Sequence, residues 1–307
     1  MSRRFVLALL LIAVPIAAEQ IVVIPAVSDN TPGRNGSVWA TEVQIIKVDP
    51  LDSLTVRRVW VCVPEGGFEE EPGSARTWDM GGTLARDRLL TLVGSDLLAD
   101  SGSNVGAVAL EIQGGEAIIN ARIADVSRGM WSGWTPFGQG QRVPALEDPL
   151  EGPSILPWVG GCRNDPCSSH DPAAWDYFRD NVGIVNPNPM PLTVSGAAIG
   201  FGPDATDEPV ELELPEGTRE TFERVVPAFG WLQFRWVAAE RYGFNQWGMP
   251  RIPIAGFVVT LEPDQEIPYF AYASTVFSPD PDSSVPIFND PMFIPAHEGF
   301  IEPYSRD

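Results

Sequence analysis

Lysine is nearly missing from this chain. Lys47 is the only one among 307 residues, and with arginine the basic total is 20 against 41 acidic residues, a formal net charge of −21. Phosphate backbones and anionic lipid surfaces are bound through clustered basic side chains, so this balance excludes nucleic acid and acidic membrane surfaces as partners. Histidine is equally scarce, with only His170 and His297, and there are 3 cysteines. That leaves little material for a metal centre or a histidine-dependent triad. No apolar run reaches the roughly 18 residues that a membrane-spanning helix takes. Proline and glycine are abundant instead, at 30 and 29 residues. Both interrupt helices, which argues against a helical bundle. Hydrophobic residues make up 44% of the chain, too many for disorder. The composition points to an acidic, loop-rich, all-β protein long enough for two domains.

The N-terminus reads Met1-Ser2-Arg3-Arg4, followed by an uncharged, mostly apolar segment from Phe5 to Ala18. Basic residues before an apolar stretch that ends in small residues form a signal peptide, assigned to 1–18. The segment spans about 21 Å as a helix, short of the roughly 30 Å hydrocarbon core. Cleavage after Ala18 leaves 18 basic and 41 acidic residues, a charge of −23. The expected location is secreted, periplasmic or cell-surface, with no membrane insertion once the signal is removed.

Short blocks recur in order along the chain. Ile24-Pro25-Ala26 returns as Val143-Pro144-Ala145 and Ile294-Pro295-Ala296. The segment Trp39 to Ile46 parallels Phe178 to Val185, and Leu54-Thr55-Val56 parallels Leu192-Thr193-Val194. Glu116 to Ala124 parallels Glu266 to Ser274. Ordered repetition of this kind is the mark of a duplicated unit. The expected organisation is a first domain at 19–143 and a second at 144–296, with a C-terminal tail at 297–307. Val43 and Val182 should occupy equivalent buried positions. The second unit is longer before its Phe178 block, so an insertion is assigned to 151–177.

Within each unit the patterns are those of strands. Val210-Glu211-Leu212-Glu213-Leu214 alternates strictly, and Leu54 to Val63 is rich in β-branched and aromatic residues. Turn dipeptides such as Asp49-Pro50 and Asn186-Pro187 punctuate these runs. Short strands at regular spacing suggest sandwiches. Leu89, Leu90, Val93 and Leu97 fall at helical spacing within Leu84 to Leu98, which reads as one or two helical turns crossing between sheets.

Few constellations could carry chemistry. Cys162 and Cys167 bracket Arg163-Asn164-Asp165-Pro166, and in an exported protein this pair should close a small disulfide loop. Such a loop stabilises by about 2 kcal/mol. A metal site using both thiolates with His170 and Asp165 or Asp171 is the alternative, but the spacing does not suit structural zinc. Cys62 is placed on one strand face with Val56 and Trp60, as an inert buried thiol. The acids Asp204, Asp207 and Glu208, or Asp280 and Asp282, could gather calcium at a turn, yet no EF-hand spacing exists. There is no nucleophile elbow, P-loop, zinc-protease helix or Rossmann glycine fingerprint. Neither metal nor cofactor is expected. Among ten tryptophans, Trp131 and Trp134 flank Ser132-Gly133 in a glycine-rich segment. Exposed aromatics there could stack on sugar rings or anchor a protein.

The Ile24-Pro25-Ala26 block, then Gly33-Arg34-Asn35-Gly36-Ser37-Val38-Trp39, resembles the start of a repeated domain in uncharacterised secreted bacterial proteins. Asn181 to Pro187 fits that family's strand followed by Asn-Pro, and Phe137-Gly138-Gln139 before Val143-Pro144-Ala145 fits its closing hairpin. The first domain departs from the pattern with Lys47-Val48-Asp49-Pro50 where Asn-Pro is expected. The resemblance implies two tandem immunoglobulin-like β-sandwiches and no catalytic residues. The expected function is therefore a non-enzymatic exported protein for cell-surface or extracellular interaction, with an unknown protein or glycan partner. A carbohydrate-binding module resting on Trp131 and Trp134 is the second reading, and a carboxylate-based hydrolase the third.

Overall fold

In the computed structural model, β-branched and aromatic runs pair edge to edge into antiparallel sheets. The structure describes residues 20–33, 38–82, 84–127, 138–141, 148–159, 178–201, 221–236, 256–277 and 292–298. The first unit contains β1 (Gln20–Ser28), β2 (Val38–Lys47), β3 (Leu54–Cys62), β4 (Thr77–Met80), β5 (Leu89–Val93), β6 (Val105–Gln113), β7 (Ala117–Asp125) and β8 (Gly138–Gln141). The second contains β9 (Ser154–Val159), β10 (Phe178–Asn186), β11 (Leu192–Phe201), β12 (Thr221–Val226), β13 (Gly230–Trp236), β14 (Gly256–Pro263), β15 (Phe270–Phe277) and β16 (Met292–Pro295). Two-residue strands at Thr31–Pro32, Phe68–Glu69 and His297–Glu298 extend the sheet edges. Among the described residues no helix is long and apolar enough to cross a membrane.

The two units share one strand order. Sheet I runs β1-β6-β3-β4 and sheet II runs β8-β7-β2-β5. Sheet III runs β9-β14-β11-β12 and sheet IV runs β16-β15-β10-β13, so every strand of the first unit has its counterpart eight places on. The second strand pairs with the fifth and the third with the sixth, as in an immunoglobulin sandwich. The first and seventh strands are exchanged relative to that fold: the first lies beside the sixth and the seventh beside the second.

Each unit has its own core. One cluster joins Ile24, Val43, Val56, Leu92, Leu110 and Ala121, and another joins Leu156, Val182, Val194, Leu261 and Ala273. Val43 pairs with Ala121 and Leu92, and Val182 pairs with Ala273 and Phe234, so the two valines are counterparts.

Three sequence expectations need correction. The true counterpart of Ile24-Pro25 is Leu156-Pro157, because both lie on the first strand of their unit and the ladder slips at each. Proline lacks the N–H that a continuous ladder requires, so a bulge forms there. Ile294-Pro295 lies on β16, the eighth strand, and Val143-Pro144-Ala145 lies outside the described residues. Second, the insertion assigned to 151–177 opens in a core strand. β9 pairs with β14, Leu156 is fully buried, and the Tyr269 hydroxyl donates to the Gly152 carbonyl at 3.0 Å. Residues 160–177 lie outside the described residues. Third, the segment read as helical turns contains a strand. Single turns at Ala85–Arg88 and Gly94–Leu97 flank β5, whose Leu92 points into the core while Leu89 and Val93 are exposed. The open edge of β2 recruits this segment, and period two overrides period 3.6.

The departure at Lys47 has a physical explanation. Lys47 ends β2 and Asn186 ends β10, its counterpart. Lys47 is 2% exposed and donates from Nζ to the carbonyls of Asp52 at 2.8 Å, Met80 at 3.2 Å and Gly82 at 2.9 Å. Asn186 is 0% exposed and donates from Nδ2 to the carbonyls of Met190 at 2.8 Å, Val226 at 3.3 Å and Pro227 at 2.8 Å. Met80 and Val226 themselves correspond, being paired with Leu54 and Leu192. Both units thus gather three carbonyls at one sandwich end, one with an ammonium and one with a carboxamide. Unpaired buried carbonyls are costly, so Lys47→Met should destabilise the protein by about 3 kcal/mol, with Lys47→Asn milder. Urea denaturation of the three proteins measures this. Equal stability of wild type and Lys47→Met would contradict it.

Candidate functional site

The aromatic side chains of the second unit do not all enter its core. Along β15, Ala271 and Ala273 face inward, while Phe270 and Tyr272 face the first unit. On sheet IV they join Val185 and Trp231, and on sheet I they meet Val23, Ala26, Trp60, Cys62, Ala107 and Ala109. The small Ala26, Cys62, Ala107 and Ala109 of sheet I, with Trp60 beside them, accommodate the large rings of sheet IV, forming a third core between the units. Strands β1, β6 and β3 are therefore buried on both faces. In β3 the register slips between Arg58 and Trp60, so Val56 points into the sandwich while Trp60 and Cys62 point to the partner unit. Cys62 shares a face with Trp60, as expected, but not with Val56.

Polar contacts fix this junction. The buried Trp231 indole N–H donates to the Pro25 carbonyl at 3.0 Å, a group that the β1 bulge frees from the ladder. Val63 and Gly230 form a parallel bridge, and the amides of Val63 and Gly67 donate to the Phe229 carbonyl at 3.2 and 2.7 Å. The Cys62 thiol donates to the Asn186 carbonyl at 3.4 Å. Burial pushes its pKa well above the usual thiol range, so it is a poor nucleophile.

The contact joins sheets that are not counterparts. The row Val185, Trp231, Phe270 that docks on sheet I corresponds to Ile46, Leu89, Ile118 on sheet II, by the same cross-strand pairs. That second row is exposed, with Ile118 at 59%.

Where the two units diverge beyond the junction, a cleft of about 200 Å³ opens. The first unit lines it with the β1 end, the turn through Thr31 and Pro32, Trp39, Val105 and Ile123. The second lines it with Asn181, Trp231, Gln233, Tyr272 and Ser274. Tyr272 is held flat across Gly183, where any side chain would collide with its ring. Its hydroxyl donates to Gln233 Oε1 at 2.9 Å, and burial raises its pKa. Asn181 donates from Nδ2 to Ser274 Oγ at 3.2 Å. No charged side chain lines the cleft among the described residues. The corresponding positions on sheet II hold Glu42 and Arg122, an ion pair at 3.4 Å.

The residues singled out from sequence fall elsewhere. Trp131, Trp134, Cys162, Cys167, His170 and the acids Asp204, Asp207, Glu208, Asp280 and Asp282 lie outside the described residues. The backbone of His297 pairs with Ile155 at the edge of sheet III. Among the described residues no three His, Cys, Asp or Glu side chains gather to hold a metal. The cleft residues were missed. A signal existed in Phe270-Ala271-Tyr272-Ala273-Ser274, whose larger face is aromatic and whose smaller face is alanine.

Two outcomes follow from the junction. The third core makes the units unfold together, so calorimetry should show one transition. Trp231→Ala should lower stability by about 3 to 5 kcal/mol, and two separate transitions in the wild type would contradict a shared core. The thiols give the second. Alkylation of the native protein should leave Cys62 unlabelled, and denaturation should expose it. Native labelling of Cys62 would contradict its burial.

No family model matches the chain, and comparison with curated proteins and with solved structures finds no match.

Proposed function

We propose that this chain is an exported, non-enzymatic protein that works by binding a ligand at the cell surface or outside the cell, in the cleft between its two sandwiches. The observation that carries this reading is the neutral, part-aromatic lining of that cleft, built jointly by both units. Concave sites with aromatic walls and a few placed polar groups are the usual form of small-ligand sites. A hydrolase of the carboxylate type needs two facing acids, and the described lining contains neither aspartate nor glutamate. The apolar segment after Arg3-Arg4 supports export.

The test is a binding screen of the mature chain on glycan and peptide arrays, run beside assays for generic glycoside, ester and peptide hydrolysis. The expected result is a bound ligand, without turnover, whose affinity falls at least about tenfold in Trp39→Ala. Turnover abolished by substituting a pair of carboxylates would overturn the reading.

A further inference from the structure

We infer that the cleft binds a single uncharged sugar ring of a glycan, with Trp39 as the stacking platform and Asn181, Gln233 and Ser274 as the hydrogen-bonding groups. This rests on the reading that the cleft is the binding site.

Size is the first argument. A volume of about 200 Å³ is below the range of drug-sized pockets and suits one ring or a comparable fragment. Charge is the second. The chain carries −21, yet the described lining is neutral. The comparison between units sharpens this point. Glu42 and Arg122 pair on sheet II, and at the same two places sheet IV presents Asn181 and Ser274, hydrogen-bonded to each other. An amide and a hydroxyl both donate and accept. Sugar hydroxyls do the same, and neighbouring ones match an amide's paired donor and acceptor. Gln233 is exposed and accepts from Tyr272 through Oε1, which directs its Nε2 hydrogens elsewhere. Rigid aromatic surface is the third argument. Trp39 is half-buried on β2 and has ring surface to offer the C–H side of a sugar. Tyr272, clamped over Gly183, and Trp231, tied to Pro25, are buried in the junction and keep the facing wall fixed.

An extended peptide is the competing occupant, and it fits less well. Peptides commonly bind by adding a strand to an open sheet edge. The β1 edge at the cleft is already used: Pro25 O accepts from Trp231, Ser28 N donates to Thr41 Oγ1 at 2.9 Å, and Ala26 O accepts from Thr41 Oγ1 at 3.5 Å. The second unit contributes the face of sheet IV rather than an edge.

The experiment uses the full mature chain on an array of neutral oligosaccharides ending in hexose or N-acetylhexosamine, beside acidic ones ending in sialic or uronic acid, and a peptide array. Calorimetric titration then follows with the tightest glycan. The expected result is binding of a neutral glycan over its acidic analogue. Affinity should fall about tenfold or more in Trp39→Ala and severalfold in Gln233→Glu. Gln233→Glu keeps an oxygen acceptor for the buried Tyr272 hydroxyl while losing the Nε2 donors, so an unchanged melting temperature in that variant separates lost binding from lost folding. Absence of any neutral glycan, or glycan binding indifferent to both substitutions, overturns the inference. A peptide whose binding is lost in Trp39→Ala would sink the sugar but keep the cleft. Ligands of every kind indifferent to both substitutions would sink both.

Discussion

The apolar core between sheets I and IV joins the two sandwiches, and at its centre is the hydrogen bond from the Trp231 indole to the Pro25 carbonyl. It needs two local irregularities to coincide. Proline in β1 breaks the ladder and leaves its carbonyl turned outward, and an outward-facing tryptophan on β13 reaches it. Around that bond the apolar faces of sheets I and IV close on each other. Linked sandwiches commonly move relative to one another across small polar interfaces. Here the interface is apolar, crossed by backbone hydrogen bonds, and stitched by a bridge between Val63 and Gly230. The cleft exists because this junction covers only part of each sheet face. Its walls are therefore held at a fixed separation, which lowers the cost of ordering a ligand between them.

The strand order shared by the two units explains much of the detail, because each position can be compared with its counterpart. Where the function of a position is structural, chemistry changes but the role is kept. Lys47 and Asn186 both satisfy three carbonyls at the end of the same strand. Asn186 also accepts from Asn188 through Oδ1, which an ammonium cannot do. Where the surroundings differ, the residues follow the surroundings. The row that faces water in the first unit ends in an ion pair, and the row that meets the other unit ends in neutral side chains.

The all-β class was legible in the alternation of Val43, Ile45 and their neighbours, and in the turn residues between runs. The pairing of Leu54-Thr55-Val56 with Leu192-Thr193-Val194 was legible too, since both begin the third strand with buried residues. Facing was harder to read. A β-bulge reverses which parity points inward, so Cys62 parts from Val56 although six residues separate them on one strand. Strands buried on both faces hide their alternation: Val105 to Leu110 reads as a continuous apolar run because one side fills a sandwich and the other fills the junction. Apart from the aromatic and alanine alternation around Tyr272, the cleft was hard to read for a different reason. Its residues come from strands remote in sequence, and nothing local in Trp39 or Asn181 announces that they will share a wall.

The junction is heterologous: it matches sheet I of one sandwich to sheet IV of the other, so the contact does not close on itself. A contact of this kind, repeated between molecules, closes into a ring where its rotation allows and otherwise propagates a fibre, rather than stopping at a dimer. The first unit presents the corresponding apolar row, Ile46 with Leu89 and Ile118, to solvent. Colloidal behaviour is then set by the charge of the chain. At −21 each copy repels the next over about one Debye length, roughly 8 Å at physiological salt. The surplus of acid thus acts as a brake on self-assembly, and high salt releases that brake.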